Sequence, residues 1–556
     1  MQKRFNYTKI SLFCAVKEFN MLGNKFLYTL LILFALTGCA KRGTITGGAK
    51  DTIPPVITRS LPANMSTNFT GSQIRIDFSE YIKIKDVNKQ LIISPPMNTA
   101  PVITPNGSAS RFINIKIKDT LQPNTTYSFN FGQSITDNNE GNPYSQFKFI
   151  FSTGAYIDSL TLNGKIKDAY TKKTDNFVTV MLYEANETFN DSTIFKTKPQ
   201  YVTNTLDSTV NYSLQNLKAG KYYVFAVKDA NNNYRYDPKA DKIAFIKEPV
   251  TVPTDTLYSL ELFKEVRPFK AIKPTQASSN RLLAGYEGDF KGSGISVKNG
   301  NTNEAIPTII TKFPDRDSLQ VWLPRAVKAD SLFVAVAKND SIKNFTVKYK
   351  EMKAIDSLTI SAVQKGELRF REKFTLLPST PLVNIDNSKM SLTNKDSAAV
   401  AFTTVYDELK QQLEFDFIKE EDQRYILTLM PGALRDFYEK ENDTLEFKLT
   451  TRTYADYGNL RVTLENVDRF PLIVEITDAK GDVKATYYTE KETQINFDAI
   501  EPNKYTLRVI YDDNKNKEWD TGDYLLNRQP EQVLYFPTEI EVHENWDVDQ
   551  TFNLAK

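Results

Sequence analysis

From about residue 53 onward, apolar and polar residues alternate in short runs. Ile74–Phe78, Ile113–Ile117, Tyr127–Phe131 and Phe147–Phe151 carry apolar side chains at every second position, nearly throughout. That period of two marks strands with one buried face, and the Asn, Pro and Gly between the runs mark turns. A sustained 3.6-residue period is rare, and Tyr406–Gln412 is the best short helix candidate. Several short strands per hundred residues predict antiparallel sandwiches. The expected fold is therefore all-β, a tandem array of about five antiparallel β-sandwich modules.

The pattern also repeats over long distances. Tyr127–Phe131 matches Tyr425–Leu429 and Phe147–Phe151 matches Leu445–Leu449, both shifted by 298 residues, while Ser79–Ile82 aligns with Ser379–Leu382 two residues out of that register. A second match, shifted by 283, runs from Leu217–Tyr222 through Asp229–Asp237 and from Ile500–Tyr505 through Asp512–Asp520. Shared offsets over tens of residues imply duplicated modules. Pro54 and Pro55, Ser60–Asn64, Ile76–Glu80, Leu121–Tyr127 and Phe151–Gly154 together resemble the bacterial Ig-like domain of S-layer and envelope proteins, a resemblance that implies no catalytic residues. Leu217, Gly220, Tyr222 and Val224, followed by an Asp/Asn loop, resemble transthyretin-like, carboxypeptidase-regulatory sandwiches. The expected order is Ig-like (53–154), transthyretin-like (155–266), a middle β-module (267–360), Ig-like (361–456) and transthyretin-like (457–556). Contacts between modules should be modest, giving a rod that flexes at Pro268–Pro274.

The N-terminal forty residues differ. Lys25 precedes an uncharged run of eleven residues, Phe26–Leu36, ended by Thr37, Gly38 and Cys39. Eleven residues are too few to cross a membrane as a helix but suit a signal-peptide core. Leu36, Thr37, Gly38 and Cys39 resemble a bacterial lipobox, which implies a signal peptide over 1–38, lipidation of Cys39 and a tether over 39–52. Met21 is an attractive true start. By analogy with the enterobacterial sorting rule, Ala40 after the cysteine implies the outer membrane. Ala40–Gly43 lacks the acidic cluster reported for surface export in Bacteroidota, so the membrane face stays open.

Composition removes much chemistry. The 556 residues hold one histidine, His543, and two cysteines, Cys14 and Cys39. Cys14 falls in the leader and Cys39 would be capped by lipid, leaving neither a disulfide nor a nucleophilic thiol. A single histidine near the chain end supports neither a histidine zinc site nor a triad. Net charge is +2, and the locally basic Lys165–Lys173 offers only Tyr170 as an aromatic platform, so nucleic acid is not an expected partner. Carboxylate pairs such as Glu420–Glu421 and Asp512–Asp513 exist, but nothing predicts a cleft holding two carboxyls apart.

Two motifs remain. Asp512, Asn514, Asn516, Asp520 and Asp523 occupy positions 1, 3, 5, 9 and 12 of a loop, with the Glu518 carbonyl at position 7. Oxygen ligands at that spacing can curl around calcium, the one candidate cofactor. The duplicate loop offers Asp229, Asn231, Asn233 and Asp237. Against a metal stand Lys517 and Tyr234 where such loops usually carry glycine, and the default use of Asp and Asn in turns. The second motif is Asp, then Ser or Thr, then an apolar residue or Thr. It resembles the O-glycosylation acceptor of Bacteroidota envelope proteins, which implies glycans on Thr52, Thr120, Ser159, Ser192, Ser208, Thr256, Ser318, Ser331, Ser341, Ser357, Ser397 and Thr444. The alternative is a turn cap ahead of a strand.

The expected function is a non-catalytic lipid-anchored scaffold, an accessory subunit of an outer-membrane protein complex with a barrel partner. A surface adhesin or glycan binder is the alternative, and a hydrolase with an unrecognised carboxylate site a third class.

Overall fold

The computed structural model describes residues 51–205, 209–325 and 327–555. Residues 1–50, with Leu36, Thr37, Gly38 and Cys39 of the lipobox-like motif, and Ser208 lie outside them. The described chain is nearly all β, with only short helical turns at Val87–Gln90, Thr193–Lys196, Asn387–Lys389 and Tyr454–Asp456. None of its helices is long and apolar enough to cross a membrane.

In the first sandwich one sheet has the order Ile57–Leu61, Gln73–Ile84, Ser110–Lys116, Val102–Thr104, and the other Ile92–Ser94, Thr126–Asn130, Lys148–Ser152. The alternation read from the sequence faces inward: Ile76, Ile113, Ile115, Phe129, Phe149 and Phe151 have no solvent exposure. Residues 360–450 repeat the plan, with Ile360–Ala362, Phe374–Pro378, Gln412–Phe417 and Phe402–Asp407 against Gly366–Glu367, Leu445–Thr450, Arg424–Leu429 and Met390–Thr393.

The duplication extends to individual hydrogen bonds. Tyr127 Oη accepts the Gln122 N–H at 2.9 Å, and 298 residues on Tyr425 Oη accepts the Glu420 N–H at 2.7 Å. Thr153 donates its hydroxyl to the Gln122 carbonyl, and Thr451 does the same to Glu420. Both are tyrosine corners, which pin the chain where it crosses between sheets. Asp137 and Asp436, almost unexposed, each accept backbone N–H groups from the turn that follows.

The sandwiches over residues 155–266 and 457–556 share a topology too. Leu160–Asp168 pairs antiparallel with Asn211–Leu217 and parallel with Tyr258–Leu262, and Gly458–Glu465 pairs antiparallel with Gln494–Ile500 and parallel with Asp547–Asn553. The second sheets are centred on Gly220–Lys228 and Asn503–Tyr511. Tyr222 donates its hydroxyl to Lys218, and Tyr505 to Glu501, at the 283-residue offset. The middle sandwich sets Arg281–Glu287 and Ser318–Trp322 against Gly294–Asn299 and Ser331–Lys338.

Two expectations are corrected. Tyr406–Gln412 is not helical: Phe402–Asp407 and Gln412–Phe417 form a hairpin whose turn carries Gln411 at φ 53°, and Tyr406 pairs with Leu413 across it. Cross-strand pairing outweighs the local periodicity. Nor do the modules form a rod joined only through consecutive neighbours. The second and fifth sandwiches, far apart in sequence, pack against each other.

Candidate functional site: the duplicated Asp/Asn loops and the junction they build

Each loop leaves the central strand of its sheet and is shaped by carboxylates that accept backbone N–H groups. Asp512, without exposure, accepts from Asn516 (3.1 Å) and Lys517 (2.8 Å). Asn514 and Asn516 point their side-chain amides at Asp520 Oδ2, and their oxygens accept from Asn516 and Glu518 N–H. Asp523 accepts from Leu526 at 2.9 Å. Glu531, which the sequence reading missed, binds the loop with both oxygens, accepting from Asp513 and Asp520 N–H. In the duplicate, Asp229 accepts from Asn231 and Tyr234, Asn233 from Arg235, and Asp241 takes the place of Glu531, accepting from Ala230 and Asp237. Burial pushes the Asp229 and Glu531 carboxyls up, and the backbone N–H bonds oppose this only in part.

The positions that usually need glycine are left-handed here without it. Lys515 and Lys517 have φ 65°, Asn232 φ 52° and Tyr234 φ 58°. The residue types argued against that path, yet the carboxylate bonds enforce it. Asp512, Asn514, Asn516, Asp520 and Asp523 thus each have a side-chain oxygen engaged by an N–H group of the loop itself. Among the described residues no cluster of three or more His, Cys, Asp or Glu is arranged to hold a metal.

The first loop is also an interface. Tyr524, 8 % exposed, belongs not to its own sandwich core but to a cluster with Met181, Tyr183, Phe225, Phe245 and Phe263. Its ring lies edge-on to Phe225 (5.5 Å) and Phe245 (5.4 Å). Its N–H donates to Glu265 Oε1 at 2.6 Å, while Glu265 Oε2 accepts the Tyr236 hydroxyl. In return the Tyr170 ring packs at a tilt of 36° against Trp519 (4.5 Å) and lies under the Arg508 guanidinium (4.2 Å), which pairs with Glu475. Arg508 is the 283-residue counterpart of Phe225, so the two outer faces have diverged into a charged and an aromatic half of one junction. The sequence held a signal for this: Tyr223–Val227 and Leu507–Tyr511 are nearly unbroken apolar runs, as strands buried on both faces require.

The remaining candidates fall on the surface. His543 is half exposed beside Glu541 (3.7 Å) and Trp546. Thr52, Thr120, Ser159, Thr256, Ser341, Ser357, Ser397 and Thr444 are exposed, and Ser192, Ser318 and Ser331 partly buried. Ser318, Ser331 and Ser341 begin strands, and Ser159 and Thr444 directly precede them. The neighbouring Asp158 is itself buried, accepting the Thr126 hydroxyl at 2.8 Å. A cleft of about 650 Å³ between the first two sandwiches is lined by Asn130, Gln146, Lys148, Asn163, Lys165 and Asn211, among others, with Leu257 at its edge.

Residues 51–153 match the family of bacterial Ig-like domains. Among solved structures, domains 1–6 of the surface layer protein SbsC align over 88 % of this chain and 68 % of that one, at 10 % identity and TM-score 0.16. A Bacteroides ovatus protein of a mixed-linkage glucan utilization locus, solved with a mixed-linkage heptasaccharide, aligns over 69 % and 91 % at 12 % identity and TM-score 0.17. The titin domains A168–A170 align over 44 % and 91 % at 10 % identity and TM-score 0.14. No curated protein matches the chain.

Proposed function

We propose that this chain is a non-catalytic scaffold, anchored through a lipid on Cys39 to the outer membrane, and that it serves as an accessory subunit of an outer-membrane protein complex. The observation that carries this reading is the use made of its carboxylates. Asp137, Asp436, Asp512, Asp229 and Glu531 are buried or nearly so and spend their oxygens on backbone N–H groups, which fixes turns and leaves none of them poised for proton transfer. Modules of this kind work by presenting edges and loops to a partner. The Asp-Ser/Thr hydroxyls on the surface would carry glycans, which add solubilising bulk.

Glycan binding is the second reading, favoured by the amide-rich cleft between the first two sandwiches. Amides both donate and accept, as hydroxyl-rich ligands require. Affinity capture of the full chain from detergent-solubilised membranes separates the two. Recovery with an outer-membrane barrel supports the scaffold, and recovery alone, with retention on a glycan array, supports the binder. Cys39→Ala should move the chain out of the membrane fraction, and unchanged fractionation would remove the anchor.

A further inference from the structure

The junction between the second and fifth sandwiches has the make-up of a clasp. Its contacts on the C-terminal side come from the Asp512–Arg528 loop and one outer sheet face. Thr521 donates its hydroxyl to the Lys264 carbonyl (2.8 Å), Gln529 donates to Phe245 (3.0 Å), and Lys172 reaches across to the carbonyls of Phe536 and Pro537. Glu518 of the same loop pairs with Lys291 of the middle sandwich. The loop backbone is pressed close, since a Cβ added at Gly522 would lie 2.6 Å from the Phe263 ring.

Further contacts join the middle sandwich to the second Ig-like one, where Tyr438 donates its hydroxyl to Asn280 and Lys312 N–H donates to Leu409. Arg369 pairs with Glu501, and Phe370 lies edge-on to Tyr457, at the next junction. Arg267, where the chain enters the middle sandwich, donates to the Lys239 carbonyl of the sandwich before it (2.8 Å), so the last four sandwiches follow one another in contact, and the loop returns the end of the series to its beginning.

We propose that the Asp512–Arg528 loop is a clasp that closes the last four sandwiches into a ring, and that withdrawing Tyr524 opens the ring without unfolding any sandwich. The argument for release rests on where Tyr524 is buried. Its ring fills the aromatic face of the other sandwich, and the core of its own sandwich, built from Leu460, Val474, Phe497 and Leu507, does not include it. The seat of the Tyr524 ring is aromatic. The Lys291–Glu518 pair is more than half exposed on both sides and contributes little, so screening should leave the ring closed. This inference goes beyond the proposed function and does not depend on it.

Small-angle X-ray scattering of the full chain tests it. The wild type should scatter as a compact particle at low salt and at roughly 1 M salt alike. Tyr524→Ser should raise the radius of gyration by more than about a tenth while the far-ultraviolet β signal is kept, and Tyr524→Phe should stay closed. Gly522→Val, whose side chain would meet the Phe263 ring and also the Arg528 carbonyl of the loop, should open the ring as Tyr524→Ser does and serves as the second variant should Tyr524→Ser lose its β signal. An extended profile for the wild type, opening by salt alone, or folded Tyr524→Ser and Gly522→Val chains that scatter as the wild type would each overturn the clasp.

Discussion

At the scale of single residues, the duplicated hydrogen bonds give paired predictions. Tyr127 and Tyr425 are almost fully buried, and each hydroxyl accepts one backbone N–H. Replacing either by Phe keeps the ring and orphans that N–H, at a cost of about 1 kcal/mol. Urea unfolding should show losses of similar size for Tyr127→Phe and Tyr425→Phe, each confined to its own sandwich. Asp137 adds a pH dependence. Burial alone would raise its carboxyl, but N–H bonds from Gly141, Asn142 and Glu140 outweigh burial and hold it below its ordinary value. A depressed carboxyl contributes stability that is present above the ordinary pKa, near 4, and lost as the pH falls through the folded value. The melting temperature of the first sandwich should fall on acidification into that range, and Asp137→Asn should remove part of that dependence.

At the scale of elements, strands were legible because a half-buried strand writes its two faces directly into the alternation of residues. Ile74–Phe78 and Phe147–Phe151 are the plain cases. Tyr406–Gln412 misled because a strand end and a tight turn together imitate one helical turn. The Asp/Asn loops were legible as loops, but their use was not. Spacing does not say whether an oxygen faces a cation or an N–H group, and Glu531 enters the loop from eleven residues beyond Asp520. Because these oxygens are engaged by the loop itself, we expect a calcium chelator to leave the melting temperature of the chain unchanged. A fall of several degrees on chelation, restored by calcium, would assign the metal instead.

At the scale of the whole molecule, the all-β class and the duplication could be read from periodicity and shared offsets, whereas the fold-back could not. A junction that sets Tyr170 on Trp519 and Tyr524 on Phe225 leaves only an indirect trace, the apolar run Tyr223–Val227 and the run Leu507–Tyr511 broken only by Arg508, and such a run does not name its partner. The bacterial Ig-like match covers residues 51–153, and the rest of the architecture rests on the sheets themselves. The chain is proposed as an accessory subunit held at the outer membrane. The most direct test is the composition of the complex that the full chain carries out of the membrane, measured as intact mass after mild detergent extraction. The account predicts one stoichiometric outer-membrane barrel partner bound to the lipidated chain. Recovery of the lipidated chain alone, under conditions that preserve known barrel complexes, would contradict it.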